Sequence, residues 1–566
     1  VLVVKSIASP TSAVNYRTVQ INQGMILMRS VSAVTLKEQL TGGEELALVD
    51  VREEGAYARS HLLLSVSIPL DRLEVLFAGL VPRHSTPIVL CDDNDGWTLI
   101  AGNRLKEFGY SSVSYLKGGI QSWSDAGYEL FSGVNVPSKA FGEFIEHEYR
   151  TPHLPAQALK EKIEANENIV VLDSRPLHEF RKMTIPGAIC CPGAELVYRL
   201  PDLVSDPQTL VVVNCAGRTR SIIGAQSLIN AGITNRVTAL KDGTMGWHLA
   251  GYTLENGSER SAPEISTAGL EKSQEYVEKV RQRFQIRTIN CQQLKLLREA
   301  STKRSLFLLD VRSPQEFHQG HMPGSKSAPG GQLVQATDEY VGVRNAQLVL
   351  IDDTGVRATM TASWLIQMGW REVYVLEDGL SGDSLRTGPE TSRLLGADKL
   401  VAAMITVAAL EGRRAKEEIE IFDVANSLVF RDGHLPGAHR ISRTDISEIA
   451  SRAASWDSTV VITSSDGTIA GFAAAELLSS EPHRQILVLQ GGTDAWQAAG
   501  HPIEQGADPY DGESAGDVWY RPYERADAVE AAMQAYLDWE VDLVDQVARD
   551  GTAMFQKNPN ATDKVT

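Results

Sequence analysis

The chain repeats itself, and the repeat constrains its fold more than any other feature. Four short apolar runs end in an aspartate: LALVDVR at Asp50, VVLDSR at Asp173, FLLDVR at Asp310 and EIFDVA at Asp423. Eleven residues further on stand His61, Thr184, His321 and His434, and IPGA, HMPGS and HLPGA mark turns in the last three copies. A second apolar run (IVLCD, VVVNC, LVLID, VVITS) then reaches Asp92, Cys215, Asp352 and Ser464, at separations of 42, 42, 42 and 41 residues from the first aspartate. In the first three copies a helix-like segment continues for 17 residues to Gly109, Gly232 and Gly369. The turns YLKGG, ALKDG, VLEDG and LQGG follow. Agreement over so many landmarks is internal repetition.

The apolar runs lack polar alternation, as strands buried on both faces do, and helix-like segments separate them. The expected fold class is therefore α/β: four tandem domains, each a small parallel sheet with helices on both faces. The copies are placed at 31–135, 150–258, 285–390 and 395–505. The polar stretch Asn256–Thr267 reads as a linker and 268–284 as a charged helical connection. The tail, 506–566, departs from the repeat; helical periodicity over Ala526–Val547 predicts a helix that packs back on the repeats, with a partner-docking helix as the alternative. A length of 566 residues, at roughly 150 per domain, agrees with four units.

Hydrophobic residues make up 43% and charged residues 22%, the balance of a globular chain. Lys plus Arg total 54 against 72 Asp plus Glu, a formal charge of −18, which argues against a general affinity for nucleic acid or anionic membrane. No apolar run approaches the ~20 residues of a membrane-spanning helix. Val1–Ser32 lacks the charged start, apolar core and cleavage site of a secretory leader, and Met25 or Met28 is a possible natural start. The five cysteines, Cys91, Cys190, Cys191, Cys215 and Cys291, are too few and too scattered for a disulfide framework. No CxxC pair suggests zinc, so neither a metal nor a cofactor is expected, and sparse thiols favour the cytoplasm.

In an open α/β sheet, ligands sit beyond the carboxyl ends of the strands. Only the second copy puts a thiol there: Cys215, followed by Ala216, Gly217, Arg218, Thr219, Arg220 and Ser221. Inward N–H groups and the positive end of a helix favour thiolate over thiol. The same cradle would bind an oxyanion or a persulfide. A strand-end cysteine taken alone is more often inert and packed. The cationic loop, and a position fixed independently by the repeat count, single out Cys215 as the nucleophile.

These motifs resemble tandem rhodanese domains over about residues 31–505. The marks are Asp-x-Arg (Asp50/Arg52, Asp173/Arg175, Asp310/Arg312), His-x-Pro-Gly in copies three and four, and the Cys215 loop. The Gly-x-x-x-Trp turns at Gly119/Trp123, Gly243/Trp247 and Gly492/Trp496 add to these. The resemblance implies a sulfurtransferase. Cys215 would take sulfur from a small anionic donor such as thiosulfate, hold it as a persulfide among the N–H groups of 216–221, and pass it to cyanide or a thiol. Arg218 and Arg220 would hold the sulfonate, Thr219 and Ser221 would offer hydroxyls, and Asp173 and Arg175 would brace the domain. A persulfide relay that delivers sulfur to a protein acceptor is the alternative. Thr184 stands where the family usually has His, so no acid–base role is required there. Related phosphatases use C-x5-R; here Arg220 is the fifth residue after Cys215, the shorter loop of sulfurtransferases.

The other thiols are assigned to packing. Cys91 falls one residue short of the reactive position, in register with Asn214, Ile351 and Thr463. The loops at Asp92, Asp352 and Ser464 cannot carry a persulfide. Cys190 and Cys191 are expected in the sheet region, with a resolving thiol as the sharper alternative, and Cys291 at a helix start. Copies one and two are expected to pair around Cys215, and copies three and four with each other.

Overall fold

The computed structural model describes residues 28–380, 385–391, 393–448, 459–508, 516–525 and 528–557. Met25, considered above as a start, lies outside them.

The structure contains four five-stranded parallel sheets with one strand order. In repeat two the order across the sheet is His153–Leu154, Val237–Leu240, Leu210–Asn214, Ile169–Asp173, Ile189–Cys190. Leu210–Asn214 is the central strand, buried at every position and in register from Ile169↔Leu210 to Asp173↔Asn214. This is the environment that a run of valines between polar turns calls for. The second apolar strand ends at Cys91, Asn214, Ile351 and Thr463. The residues that the repeat count aligned are thus the first of the following loops.

Asp-x-Arg has one geometry wherever it occurs. Arg175 folds back to donate to both oxygens of Asp173 (2.9 and 2.7 Å) and to the carbonyl of Met183 (2.7 Å). Arg52 reaches Ser60 O and Arg312 reaches Gly320 O in the same way. The histidines of the other copies are packed: His61, His321 and His434 each stack on an aromatic ring four residues earlier, and their Nδ1 meets that residue's carbonyl. In repeat two Thr184 donates to Asp173 instead (3.0 Å).

Two helices outside the sheets tie the copies together. Val136–Tyr149 lies between repeats one and two and packs on Thr219–Asn230. Thr267–Phe284 packs on Glu195–Leu203 of repeat two and on Val356–Gln367 of repeat three. The expected pairing is corrected here. Repeat two packs directly on repeat three, where Arg357 meets Glu195 at 2.9 Å and Trp364 Nε1 donates to Ser227 Oγ at 2.9 Å. Repeat one meets repeat four through Arg443–Glu74 (2.7 Å) and Arg104–Glu476 (2.7 Å). The partners are chosen by helix faces and single buried arginines, which the repeat landmarks do not report. In the tail, the helix Val529–Asp550 packs back on Val136–Tyr149, as the periodicity implied. Among the described residues no helix is long and apolar enough to cross a membrane.

Candidate active site

Cys215 opens the loop between the central strand and the helix Thr219–Asn230. The turn that starts at Gly243 shapes that loop from behind. Thr244 N donates to Cys215 O (2.9 Å) and Met245 N to Ala216 O (3.0 Å). Within a trans peptide plane the N–H points opposite to the C=O. Drawing these two carbonyls backwards therefore turns the N–H groups of Ala216 and Gly217 to the front. Only glycine fits at 243: φ is +57°, and a Cβ would lie 2.4 Å from Cys215 O and 2.6 Å from Gly217 O.

The silent copies show what such a loop holds. In repeat three the Asp352 carboxylate occupies the Cys215 position and accepts from the N–H groups of Asp353 (2.9 Å), Arg357 (2.8 Å) and Ala358 (3.3 Å). Asp92 in repeat one accepts from Asn94 and Thr98 (2.9 and 3.0 Å). In repeats one and three the loop thus closes on an anion of its own, whereas in repeat four it closes on a hydroxyl, with Ala470 N donating to Ser464 Oγ (3.4 Å). In repeat two the side chain there is a thiol.

Cys215 is 2% exposed, and its Sγ lies 3.5 Å from Ser221 Oγ, which in turn donates to Arg218 O (2.7 Å). The sequence suggested that the loop would favour thiolate. The structure corrects this: burial pushes the Cys215 thiol up, and Glu540 adds to the rise, while Arg220 and Ser221 oppose it without overcoming it. The two loop arginines are already engaged. Arg218 forms a fork on Glu143 (2.7 Å to each oxygen), meets Asp242 at 2.9 Å and also contacts Glu146. Arg220 grips Glu179 (2.9 and 2.7 Å) and Gln332 of repeat three (3.0 Å). Of the two, Arg220 is the one whose charge acts on the Cys215 thiol. Thr219 Oγ1 lies 3.4 Å from Glu540. Asp173 and Arg175 stand one strand away, joined to the central strand by Asn214 Nδ2–Asp173 Oδ2 at 2.8 Å.

Cys215 and residues 216–220, with Glu179 and Met245 of the same repeat, line a cleft of about 320 Å³ whose remaining walls come from outside the repeat. Lys139 comes from the linking helix, Gln332 and Gln335 from repeat three, and Trp519, Arg521, Tyr523, Tyr536 and Glu540 from the tail. The sequence reading missed all of these. One signal was available: Met533, Leu537, Glu540, Leu543 and Val547 form the buried stripe of the tail helix, and a glutamate interrupts it.

The remaining thiols differ. Cys91 and Cys191 are fully buried, with their thiols pushed well up by burial, and Cys190 is pushed up to about 12. Cys291 is exposed as the first residue of the helix Cys291–Ala300.

The rhodanese-like domain family matches at residues 32–126, 155–250, 292–384 and 406–499. A crystal structure of thiosulfate sulfurtransferase from Pseudomonas aeruginosa is similar with a TM-score of 0.86 and 42% identity, covering 94% of this chain and 99% of that one. Thiosulfate sulfurtransferase GlpE of Pseudoalteromonas translucida is 23% identical over 83 residues, 15% of this chain and 77% of GlpE. Adenylyltransferase and sulfurtransferase uba4 of Ogataea parapolymorpha is 35% identical over 88 residues, 15% of this chain and 22% of that protein. With four matches spanning more than half its length and one sheet order in every copy, this chain belongs to the rhodanese family.

Proposed function

We propose that this protein is a sulfurtransferase that moves a sulfane sulfur from thiosulfate, or a similar small sulfur anion, to a thiol or cyanide through a persulfide on Cys215. The observation that carries the reading is the contrast between loops of one shape. Where repeat three fills the loop with the Asp352 carboxylate, repeat two offers a nucleophilic thiol beside the same kind of N–H groups. In the first half-reaction the Cys215 thiolate attacks the outer sulfur of thiosulfate, the S–S bond breaks, and sulfite leaves with the electron pair. The persulfide then lies in the cradle of residues 216–221 until an acceptor attacks its outer sulfur and the pair returns to Cys215. The similarity to a thiosulfate sulfurtransferase over nearly the whole of both chains supports thiosulfate as donor.

Because Arg218 and Arg220 are held by carboxylates, their role in this reading differs between them. Arg218 fixes the loop's shape, and Arg220 supplies charge to the thiolate and the incoming anion. Asp173 and Arg175 brace the strand end. A cysteine 2% exposed in a walled cleft favours a small acceptor over delivery to a protein surface, and a thiol that must be regenerated suits a reducing compartment such as the cytoplasm. The test is turnover with thiosulfate and small acceptors. Wild type should cycle with ping-pong kinetics and Cys215→Ser should not; activity that survives in Cys215→Ser contradicts the reading.

A further inference from the structure

The tail brings an ionisable group to the Cys215 loop that the rhodanese repeat does not contain. Glu540 is 2% exposed on the helix Val529–Asp550. Its Oε1 accepts from Tyr536 (3.0 Å) and faces Thr219 Oγ1 (3.4 Å). Its Oε2 is buried and has no hydrogen-bond partner. That free oxygen lies 3.1 Å from the place a Cβ on Gly217 would take, so it hangs directly over the loop and lines the same cleft as Cys215. A buried carboxylate oxygen without a donor is unfavourable for packing and is retained where a proton or a ligand meets it.

We propose that Glu540 is the proton acceptor for a small neutral thiol that takes the sulfur from Cys215, which makes the tail part of the acceptor site. The inference rests on the sulfurtransferase reading above and names its acceptor class.

Thiols have an ordinary pKa of about 8.5 and are mostly protonated at neutral pH, whereas attack on a persulfide needs thiolate. Within the catalytic repeat the carboxylate that lines the cleft, Glu179, is held by Arg220 and brought down to about 2, too weak a base for this. Arg218 and Arg220 are permanently charged, Thr219 and Ser221 are hydroxyls, and Thr184 stands at the position where the other copies have His. Glu540 has the right character. Burial raises its carboxyl; Lys139 on the linking helix, the Tyr536 hydroxyl and Arg218 on the loop pull it down; Glu143 pushes it up; it comes to rest at about 7. Cys215 faces it across the loop, and Arg220 and Tyr523 face Tyr536 beside it. A base of that strength is about half ionised at neutral pH and close enough to a thiol in acidity to exchange a proton with it.

The step balances. The acceptor R–SH gives its proton to Glu540, and its sulfur attacks the outer sulfur of Cys215–S–S⁻. The S–S bond breaks with the pair returning to Cys215, leaving R–S–S⁻, a Cys215 thiolate and protonated Glu540. The proton then passes to Cys215 or to water.

Glu540→Gln keeps the shape of the side chain and removes the base. With a small thiol as acceptor at about pH 7, turnover should fall on the order of a hundredfold, and the limb of the pH profile near 7 should move up to the thiol's own ionisation. Return of sulfur from the persulfide to sulfite, an acceptor that needs no base once ionised, should change less than about threefold. Tyr536→Phe is the second variant. It removes a hydrogen bond that favours the charged carboxylate, so the same limb should shift upward while the fold is kept. Thiol turnover that persists in Glu540→Gln, equal losses with thiol and sulfite, or a limb that does not move in Tyr536→Phe would each overturn the inference. Failure of wild-type Cys215 to gain sulfur from thiosulfate would instead remove the reading beneath it.

Discussion

At the scale of single residues, one position separates a reactive thiol from a packed one. Cys91 ends its strand and is fully buried; Cys215 is one step further along and belongs to a loop whose N–H groups turn forward. Cys91→Ala should therefore leave sulfur transfer near the wild-type rate in a thiosulfate assay. Gly243→Ala places a Cβ 2.4 Å from Cys215 O on a residue with φ +57°, and should cost about 1–3 kcal/mol from backbone conformation alone. Its measured signature is a lower urea midpoint together with slower persulfide formation, because the same turn shapes the loop. Cys215 and the order of its loop were legible in the sequence because counting between landmarks locates backbone positions. The state of the loop was not. The partners that neutralise Arg218 (Glu143, Glu146 and Asp242) come from a linking helix and a later turn, and no spacing near Cys215 reports them.

At the scale of elements, Arg220 ties the helix Thr219–Asn230 to the short helix Leu177–Lys182 through Glu179. Burial works against the Glu179 carboxylate, but Arg220 outweighs it, and the carboxyl falls from its ordinary 4.5 to about 2. A carboxyl depressed on folding stabilises the native state fully above its unfolded value and ceases to do so as pH falls through its folded one. The contribution should be present above about pH 4.5 and vanish towards pH 2, an effect of about 3 kcal/mol. Urea midpoints across this range should fall more steeply for wild type than for Glu179→Gln; parallel curves would contradict the assignment. Strand and helix order were readable because parallel strands buried on both faces leave continuous apolar runs. The tail helix was readable from its periodicity, but its position over the active loop was not. Only the glutamate within its apolar stripe hinted that this face meets something polar.

At the scale of the whole molecule, the four copies are not four independent domains. One apolar core runs through repeats one, two and three, joining Val49, Leu172, Val213, Leu309 and Leu350 among others. Repeat four builds its two sheet faces from separate clusters around Phe422 and Phe430. Its bond to repeat one runs through arginine–glutamate pairs. Scanning calorimetry should accordingly resolve two transitions, the smaller belonging to repeat four, instead of four transitions or one. The sequence, which presents four equal repeats, could not reveal this grouping, because equality of landmarks says nothing about which faces meet. It did show that only one copy has a thiol at the reactive position, and that asymmetry is the central claim. Its most direct test is the mass of the intact chain after incubation with thiosulfate and removal of excess donor. One sulfur atom should be gained per chain, carried on the peptide that contains Cys215 and absent from Cys215→Ser. Uptake on another cysteine, or no uptake by wild type under conditions that load a control rhodanese, would contradict the account.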